Sequence, residues 1–443
     1  MERFAKLQSH SYGLAPARMA LPERLARLAL VGLFALLYSG GLDFMVLISS
    51  TLLYLVYLAL VVAAGVCLLA DPRAAGRLAV VAPYLAWIVC YCLYGTLVSA
   101  YRGLIIGDML RTLLRNLFVV GALALLLRDR PAAGALARAI LLAAIVNCAI
   151  CVWQTYDASL IATIAFALNS SATAFSENRP AGLWANPNAA AFGFLFALLA
   201  SRWARGWFAA LGRLAAVAGI YLTVSRSGMY LLVLCALVYL AFYRRSIRPS
   251  LGQAVLLAGG LALLIALVWV LAYQIDPAAL DLGASWNLKR ITDFSESSMG
   301  TQQDTTRANL TARVLEYALR APWHGYGIFT FQGSLSYPFT YDIDVGAHNI
   351  YLVVLGETGY LGALLYLATL AAGLARLRWL GGTPGDQLVI ALMWLCYLLI
   401  GLVWHNQFTS VVGMIFAGLL YQLPWLARTA AATARDRGIS DGT

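Results

Sequence analysis

Charge is what this chain has least of. Charged residues make up 12% of its 443 positions against 62% hydrophobic ones. A soluble protein of that length and balance would leave apolar surface in water, so the composition excludes that class. Lysine is nearly missing, at Lys6 and Lys289 alone, and the other basic residues are arginines. Acidic residues are scarce inside the apolar stretches; Asp108 and Glu357 lie near their edges, which leaves a proton-coupled carrier little to work with. No glycine-rich phosphate loop of the Walker type occurs, so ATP does not drive the chain. The 7 cysteines (Cys67, Cys90, Cys92, Cys148, Cys151, Cys235 and Cys396) all lie in or beside apolar stretches. That pattern indicates neither a disulfide framework nor a zinc site, and reads as small hydrophobes in helix packing. A cleavable signal is not expected, because the polar, basic stretch 1–27 is too long and no small-residue cleavage site follows the first apolar run.

What the chain has is apolar runs, each long enough to cross the ~30 Å hydrocarbon layer. Helices are the expected form, since backbone in lipid must satisfy its own hydrogen bonds. A transmembrane barrel would alternate apolar and polar residues, and these runs do not. The spacing predicts an all-α polytopic membrane protein of about twelve transmembrane helices, at 25–39, 43–70, 78–100, 109–127, 133–156, 187–203, 206–223, 227–243, 251–273, 348–374, 386–404 and 408–427.

Basic residues fall in every second gap. Arg3, Lys6, Arg18, Arg24 and Arg27 precede the first run, and Arg73 with Arg77 follow the second. Arg128 and Arg130, then Arg202 and Arg205, then Arg244, Arg245 and Arg248 follow the fourth, sixth and eighth. Arg376 and Arg378 follow the tenth, and Arg428, Arg435 and Arg437 the last. The positive-inside rule makes all of these cytoplasmic, with both termini on that side. The same rule accounts for the formal charge of +11 without nucleic acid, which is not an expected partner.

The outer loops are then 40–42, 101–108, 157–186, 224–226, 274–347 and 405–407. The division expected is residues 1–273 with the first nine spans and the 157–186 loop, a large outer loop over 274–347, and residues 348–443 with the last three spans and a cytoplasmic tail. Inside the large loop, Gln302 to Arg320 reads as a helix with Leu310, Val314 and Tyr317 on one face, stopped by Pro322.

The candidates for chemistry lie on the outer side. His348 stands where the large loop meets the tenth span, and its ordinary pKa of ~6.5 suits it to take a proton from a hydroxyl. A histidine that merely bonds a helix start is the plainer reading. His324 and His405 compete on the same side, with a turn role for the first and a helix cap for the second. Arg226 sits in a minimal outer turn, against the charge rule. A lipid-linked phosphate would be a partner for it; an arginine snorkelling to the headgroups is the equal alternative. The large loop adds Lys289, Arg290, Arg307, Arg313 and Arg320, whose guanidinium forks suit phosphate oxygens. A solvated ion-pair face with Glu316 explains Arg313 and Arg320 as well. Asp342 and Asp344 have a spacing that can hold a divalent cation beside a diphosphate, but the motif is short and no metal is expected there. Asn186 fits an N-cap and Pro187 a first helical turn, and that helix start could also face an anion.

Five motifs follow one another along the chain: Asn186-Pro187-Asn188, Ser225-Arg226-Ser227-Gly228, Arg313 with Tyr317 four residues on, Pro322-Trp323-His324-Gly325-Tyr326-Gly327, and His348-Asn349-x-Tyr351-Leu352 followed by Glu357, Gly359 and Gly362. In this order they resemble the O-antigen ligase and polymerase superfamily. The motifs cover about residues 175–362, with the whole chain as topology. Tyr317 stands where that family usually has tryptophan.

The resemblance implies a GT-C-like glycosyltransferase of the bacterial inner membrane that is metal-independent, inverting and without cofactor. Its donor would be an O-antigen glycan on undecaprenyl diphosphate, and its acceptor a sugar hydroxyl of lipid A–core. The site would be periplasmic, among membrane lipids. The resemblance maps the family's histidine onto His348 and its two arginines onto Arg226 and Arg313. Arg290, Arg307, Arg179, Asn186, Asn188 and Asn349 are the expected further contacts to substrate. An O-antigen polymerase and a protein O-oligosaccharyltransferase are the nearest alternatives, though the latter often carry an additional C-terminal region and this chain ends soon after its last span. A lipid-linked glycan flippase is the alternative from another class; it would need polar residues along a path through the spans, and here the polar weight gathers in the outer loops.

Overall fold

The computed structural model describes residues 21–41, 49–71, 73–101, 107–157, 163–164, 179–184, 186–243, 314–328, 330–331, 349–379, 383–404, 407–408 and 410–436. Among them the long elements are all helices: α1 (Leu21–Tyr38), α2 (Ser50–Ala70), α3 (Ala74–Tyr101), α4 (Gly107–Leu126), α5 (Arg130–Gln154), α6 (Pro187–Ala200), α7 (Trp207–Leu222), α8 (Arg226–Tyr243), α9 (Ile350–Leu374), α10 (Pro384–Gly401) and α11 (Val411–Asp436). These correspond to every predicted apolar run except 251–273, which lies outside the described residues.

Six described helical stretches are long and apolar enough to cross a membrane: Thr51–Ala70, Ala74–Tyr101, Arg130–Gln154, Ile350–Leu377, Pro384–Gly401 and Val411–Arg428. Among the rest, α6 is too short. The 14 residues of α6 rise only about 21 Å, against the ~30 Å of a bilayer core.

Helix starts follow local chemistry. Asp129 accepts from the Ala132 N–H at 2.9 Å with Pro131 in the first turn of α5. Thr383 and Asp386 form a reciprocal capping box on α10, again with proline at its first position. Asn186 caps α6, accepting from the Asn188 N–H at 2.8 Å ahead of Pro187. In the bundle, α5 packs on α1, α6 and α7, α3 lies on α4, α9 and α11, and α8 contacts α6 and α10.

Ion pairs tie together the ends that the charge alternation makes inner. Arg27 bonds Glu23 at 2.9 Å and reaches the Leu126 carbonyl at 3.2 Å, where a cation complements the C-terminus of α4. Arg77 pairs with Asp71 at 2.7 Å, and Arg128 meets Glu23 at 3.4 Å. Beside them Asp386 takes Arg130 at 2.9 Å and Arg202 at 2.8 Å. The start of α1, the end of α2, the start of α3, the end of α4, the start of α5, the end of α6 and the start of α10 therefore share one end of the bundle. The starts of α6, α8 and α9 fall at the other.

Asp71 and Arg77 are both buried. Burial alone would raise the Asp71 carboxyl, but the Arg73 N–H, the Arg77 guanidinium and the charge of Arg128 together hold it below the ordinary carboxylate value. Replacing Asp71 with asparagine strands a buried guanidinium and should cost about 3 kcal/mol in denaturant or thermal unfolding in detergent. The pH dependence has a definite sign. The folded value lies under the unfolded one of ~3.9, so the stabilisation is whole above that pH and is lost as pH falls through the folded value. Asp71→Asn should flatten that acid limb; an unchanged limb would show that the pair carries none of it.

Candidate outer-face site

At the opposite end, three loops are pinned by polar side chains set within apolar helices. The first is the end of the 157–186 loop. Gln154 Oε1, at the close of α5, accepts from the Ala181 and Gly182 N–H groups, each at 2.9 Å. Asn147, about two turns earlier on the same face of α5, accepts from the Leu183 N–H at 2.7 Å and donates to the Ser39 carbonyl at 2.9 Å. Trp184 donates its indole N–H to the Tyr38 carbonyl at 3.0 Å, and the Tyr38 hydroxyl donates to the Gly193 carbonyl at 2.6 Å. Gly182 has φ +64, and a Cβ there would sit 2.2 Å from Asn147 Oδ1. Every polar atom of this clamp has its partner inside the bundle, which is the condition for burying it. It fixes the approach to Asn186 and Asn188; Arg179 lies two residues before it, half-buried.

The second is the turn from α7 to α8. Val224 takes a left-handed conformation, φ +51, although it is β-branched and buried. Such a residue is held there only by its surroundings. The reversal delivers Ser225, whose hydroxyl donates to Asn188 Oδ1 at 2.9 Å and lies 3.4 Å from the Gly228 N–H it caps. Gly228 allows the close approach of α8 to α6, because a Cβ there would meet the Ala191 Cβ at 2.6 Å. Arg226 is then the first residue of α8. A helix N-terminus carries partial positive charge and disfavours a cation in its first turn. An arginine in that place gains nothing from the helix dipole, but the guanidinium and the helix end together favour an anion.

The third loop holds the Pro322–Gly327 motif. In α9, Gly359 breaks the helix with φ +64 and ψ −166. The carbonyls next to the break turn to the loop: Gly356 accepts from the Tyr326 N–H at 2.8 Å and Glu357 from the Gly327 N–H at 3.0 Å. The Glu357 side chain is fully buried and accepts from the Tyr91 hydroxyl and, at 3.1 Å, from the Phe331 N–H. Ser99, near the end of α3, accepts from the Ile328 N–H at 3.1 Å. Glu357 thus joins α3, α9 and the large loop. It reads in sequence as a residue near a span edge, yet it lies about two turns into the helix. His324 keeps to its own turn, with Nδ1 2.9 Å from the Gly325 carbonyl, and Arg320 pairs with Glu316 at 2.7 Å in the open, as the solvated-face reading expects.

Of the predicted residues, Asn186, Asn188, Ser225 and Arg226 come together at one helix junction. Asn349 caps α9, accepting from the Tyr351 and Leu352 N–H groups at 2.9 and 3.2 Å. The Tyr351 hydroxyl donates to the Leu398 carbonyl at 2.9 Å, which fixes that helix start against the outer end of α10. His348, Arg313, Arg290 and Arg307 lie outside the described residues, as do Asp342, Asp344 and His405. Among the described residues no three histidine, cysteine or acidic side chains are grouped to hold a metal ion. Sequence reasoning passed over Asn147, Gln154, Tyr91 and Ser99. Their signal was available: polar side chains inside apolar spans are costly unless they have work to do.

The segment running from α7 through the Ser-Arg turn, the large loop and the kink of α9 is the part that resembles a known family. Residues 211–367 match the family model described as O-antigen ligase. That match supports a member of the O-antigen ligase and polymerase superfamily. Comparison with curated proteins gives no match. The matched segment includes both predicted arginines, the predicted histidine and Glu357.

Proposed function

We propose that the protein is an O-antigen ligase. It transfers a glycan from undecaprenyl diphosphate to a sugar hydroxyl of lipid A–core at the periplasmic face of the inner membrane, which it crosses about twelve times in a GT-C-like arrangement. The observation that carries this is Arg226, a cation set at the first position of a helix, where guanidinium and helix end together suit an anion, inside the segment matched to the family.

In this reaction the bond between the anomeric carbon and the diphosphate oxygen breaks, and one between that carbon and the acceptor oxygen forms. The acceptor proton passes to His348, and the electron pair leaves with undecaprenyl diphosphate. The leaving group is already good; what it needs is charge stabilisation as the bond opens, which Arg226 and Arg313 supply without a metal ion. A single displacement of this kind inverts the anomeric centre. The carbonyl oxygens of Asn186, Asn188 and Asn349 accept hydrogen bonds within the protein, so each offers substrate its amide N–H groups, donors suited to phosphate or sugar oxygens. Arg179, Arg290 and Arg307 are further contacts. In this reading residues 274–347 form the loop that covers the site, between the spans of 1–273 and those of 348–443.

Purified protein given lipid-linked donor and lipid A–core in detergent should yield joined product without ATP, and a chelator should leave the rate unchanged. Loss of activity with chelator would assign Asp342 and Asp344 a cation. Because the superfamily includes polymerases, the same assay with donor alone separates the two: lengthened lipid-linked glycan marks a polymerase, and an unchanged donor marks a ligase.

A further inference from the structure

The short helix at 314–319 has three differently furnished sides. Val314 and Ala318 are buried against the bundle with Tyr317 partly buried beside them. Glu316 and Arg320 share a second side and pair in the open. The third carries Leu315 and Leu319, 43% and 53% exposed, one turn apart. A globular surface helix needs two sides, one for the core and one for water. A third, apolar and uncovered by the bundle, calls for a third medium.

The neighbours of that side say which. The Tyr360 hydroxyl on α9 donates to the Leu319 carbonyl at 3.0 Å. Tyr360, Leu361 and Leu364, just past the Gly359 break, are themselves exposed, on a helix long and apolar enough to cross a membrane. Just beyond Pro322, Trp323 stands 68% exposed. The apolar side of the short helix therefore continues the flank that α9 offers to lipid chains. A tryptophan and a tyrosine mark its upper margin, where such side chains settle between headgroups and hydrocarbon.

We propose that residues 314–323 lie in the plane of the outer membrane interface, with Leu315, Leu319 and Trp323 inserted among the lipids and Glu316 and Arg320 turned to water, as an amphipathic in-plane helix does. This anchors the large loop at headgroup height through the same turn that Glu357 and Gly359 clamp to α9. This placement requires only a membrane-spanning α9 and stands apart from the ligase reading.

Trp323 is its own probe. Full-length protein and Trp323→Phe would be placed in lipid nanodiscs, and the difference in their emission taken as the signal of that indole. Lipids brominated near the glycerol end of their chains should quench the difference signal at least twofold more than lipids brominated near the chain ends, and aqueous acrylamide should have little effect. Strong quenching by acrylamide with none by brominated lipid would put Trp323 in water and overturn the proposal. Protection from both quenchers would show it covered by protein and overturn it equally. None of these outcomes depends on transfer activity, so the anchor and the ligase reading fail separately.

Discussion

Replacing His348 with alanine should lower glycan transfer by about 10²–10⁴-fold, the usual contribution of a positioned general base, while the protein still inserts and unfolds at the wild-type temperature. The acceptor hydroxyl is a poor nucleophile because its pKa is very high, and in the ligase reading His348 is the base that draws its proton. The outer histidine at 324 has a different occupation, its ring against the carbonyl of its own turn, and its replacement should cost stability before it costs rate. Transfer by a stable His348→Ala protein at the wild-type rate would remove the base from the mechanism. An equal loss in a His324 variant that unfolds normally would move the assignment to that residue.

The second large effect is on the fold. Gly359 occupies a backbone region that is essentially reserved for glycine, worth about 1–3 kcal/mol against any other residue. A Cβ there would also lie 2.1 Å from the Trp323 carbonyl oxygen and 2.6 Å from the Gly325 nitrogen. Those are backbone atoms of the clamped turn and cannot swing away as a side-chain tip would. Gly359→Ala should therefore release the turn from α9 and lower the unfolding temperature in detergent. Gly121 is the control: in α4, with nothing within 4 Å of a built Cβ, its alanine variant should be neutral or more stable by up to about 1 kcal/mol. Equal unfolding of Gly359→Ala and wild type would mean that the kink does not depend on the turn packed into it.

These two residues also mark how far the sequence could be read. Runs of apolar residues located the helices because length and hydropathy are local properties, and Asn186 before Pro187 located a helix start because a cap needs only its next few neighbours. Pro322 likewise stops the 314–319 helix where its missing N–H predicts. The clamp at Gly359 was not legible, since its cause is a turn some thirty residues away in sequence. The same holds for Asn147 and Gln154, whose partners are loop backbone atoms, and for Asp386, whose guanidinium partners come from α5 and the end of α6. The arginines in alternate gaps mark sidedness in the sequence; in the structure, paired with Glu23, Asp71 and Asp386, they also bolt one end of the helices together. Arg226 shows the reverse case. Its violation of the charge rule was visible at once, but that it opens a helix, on a serine locked to Asn188, required the fold.

The most direct measurement is transfer itself: purified protein, undecaprenyl diphosphate-linked O-antigen and lipid A–core in detergent, with no nucleotide. Glycan joined to lipid A–core, made by wild type and lost in His348→Ala and Arg226→Ala proteins of unchanged stability, is the predicted result. Donor and acceptor both recovered intact from active-folded wild-type protein, or product made equally well by the two variants, would contradict it.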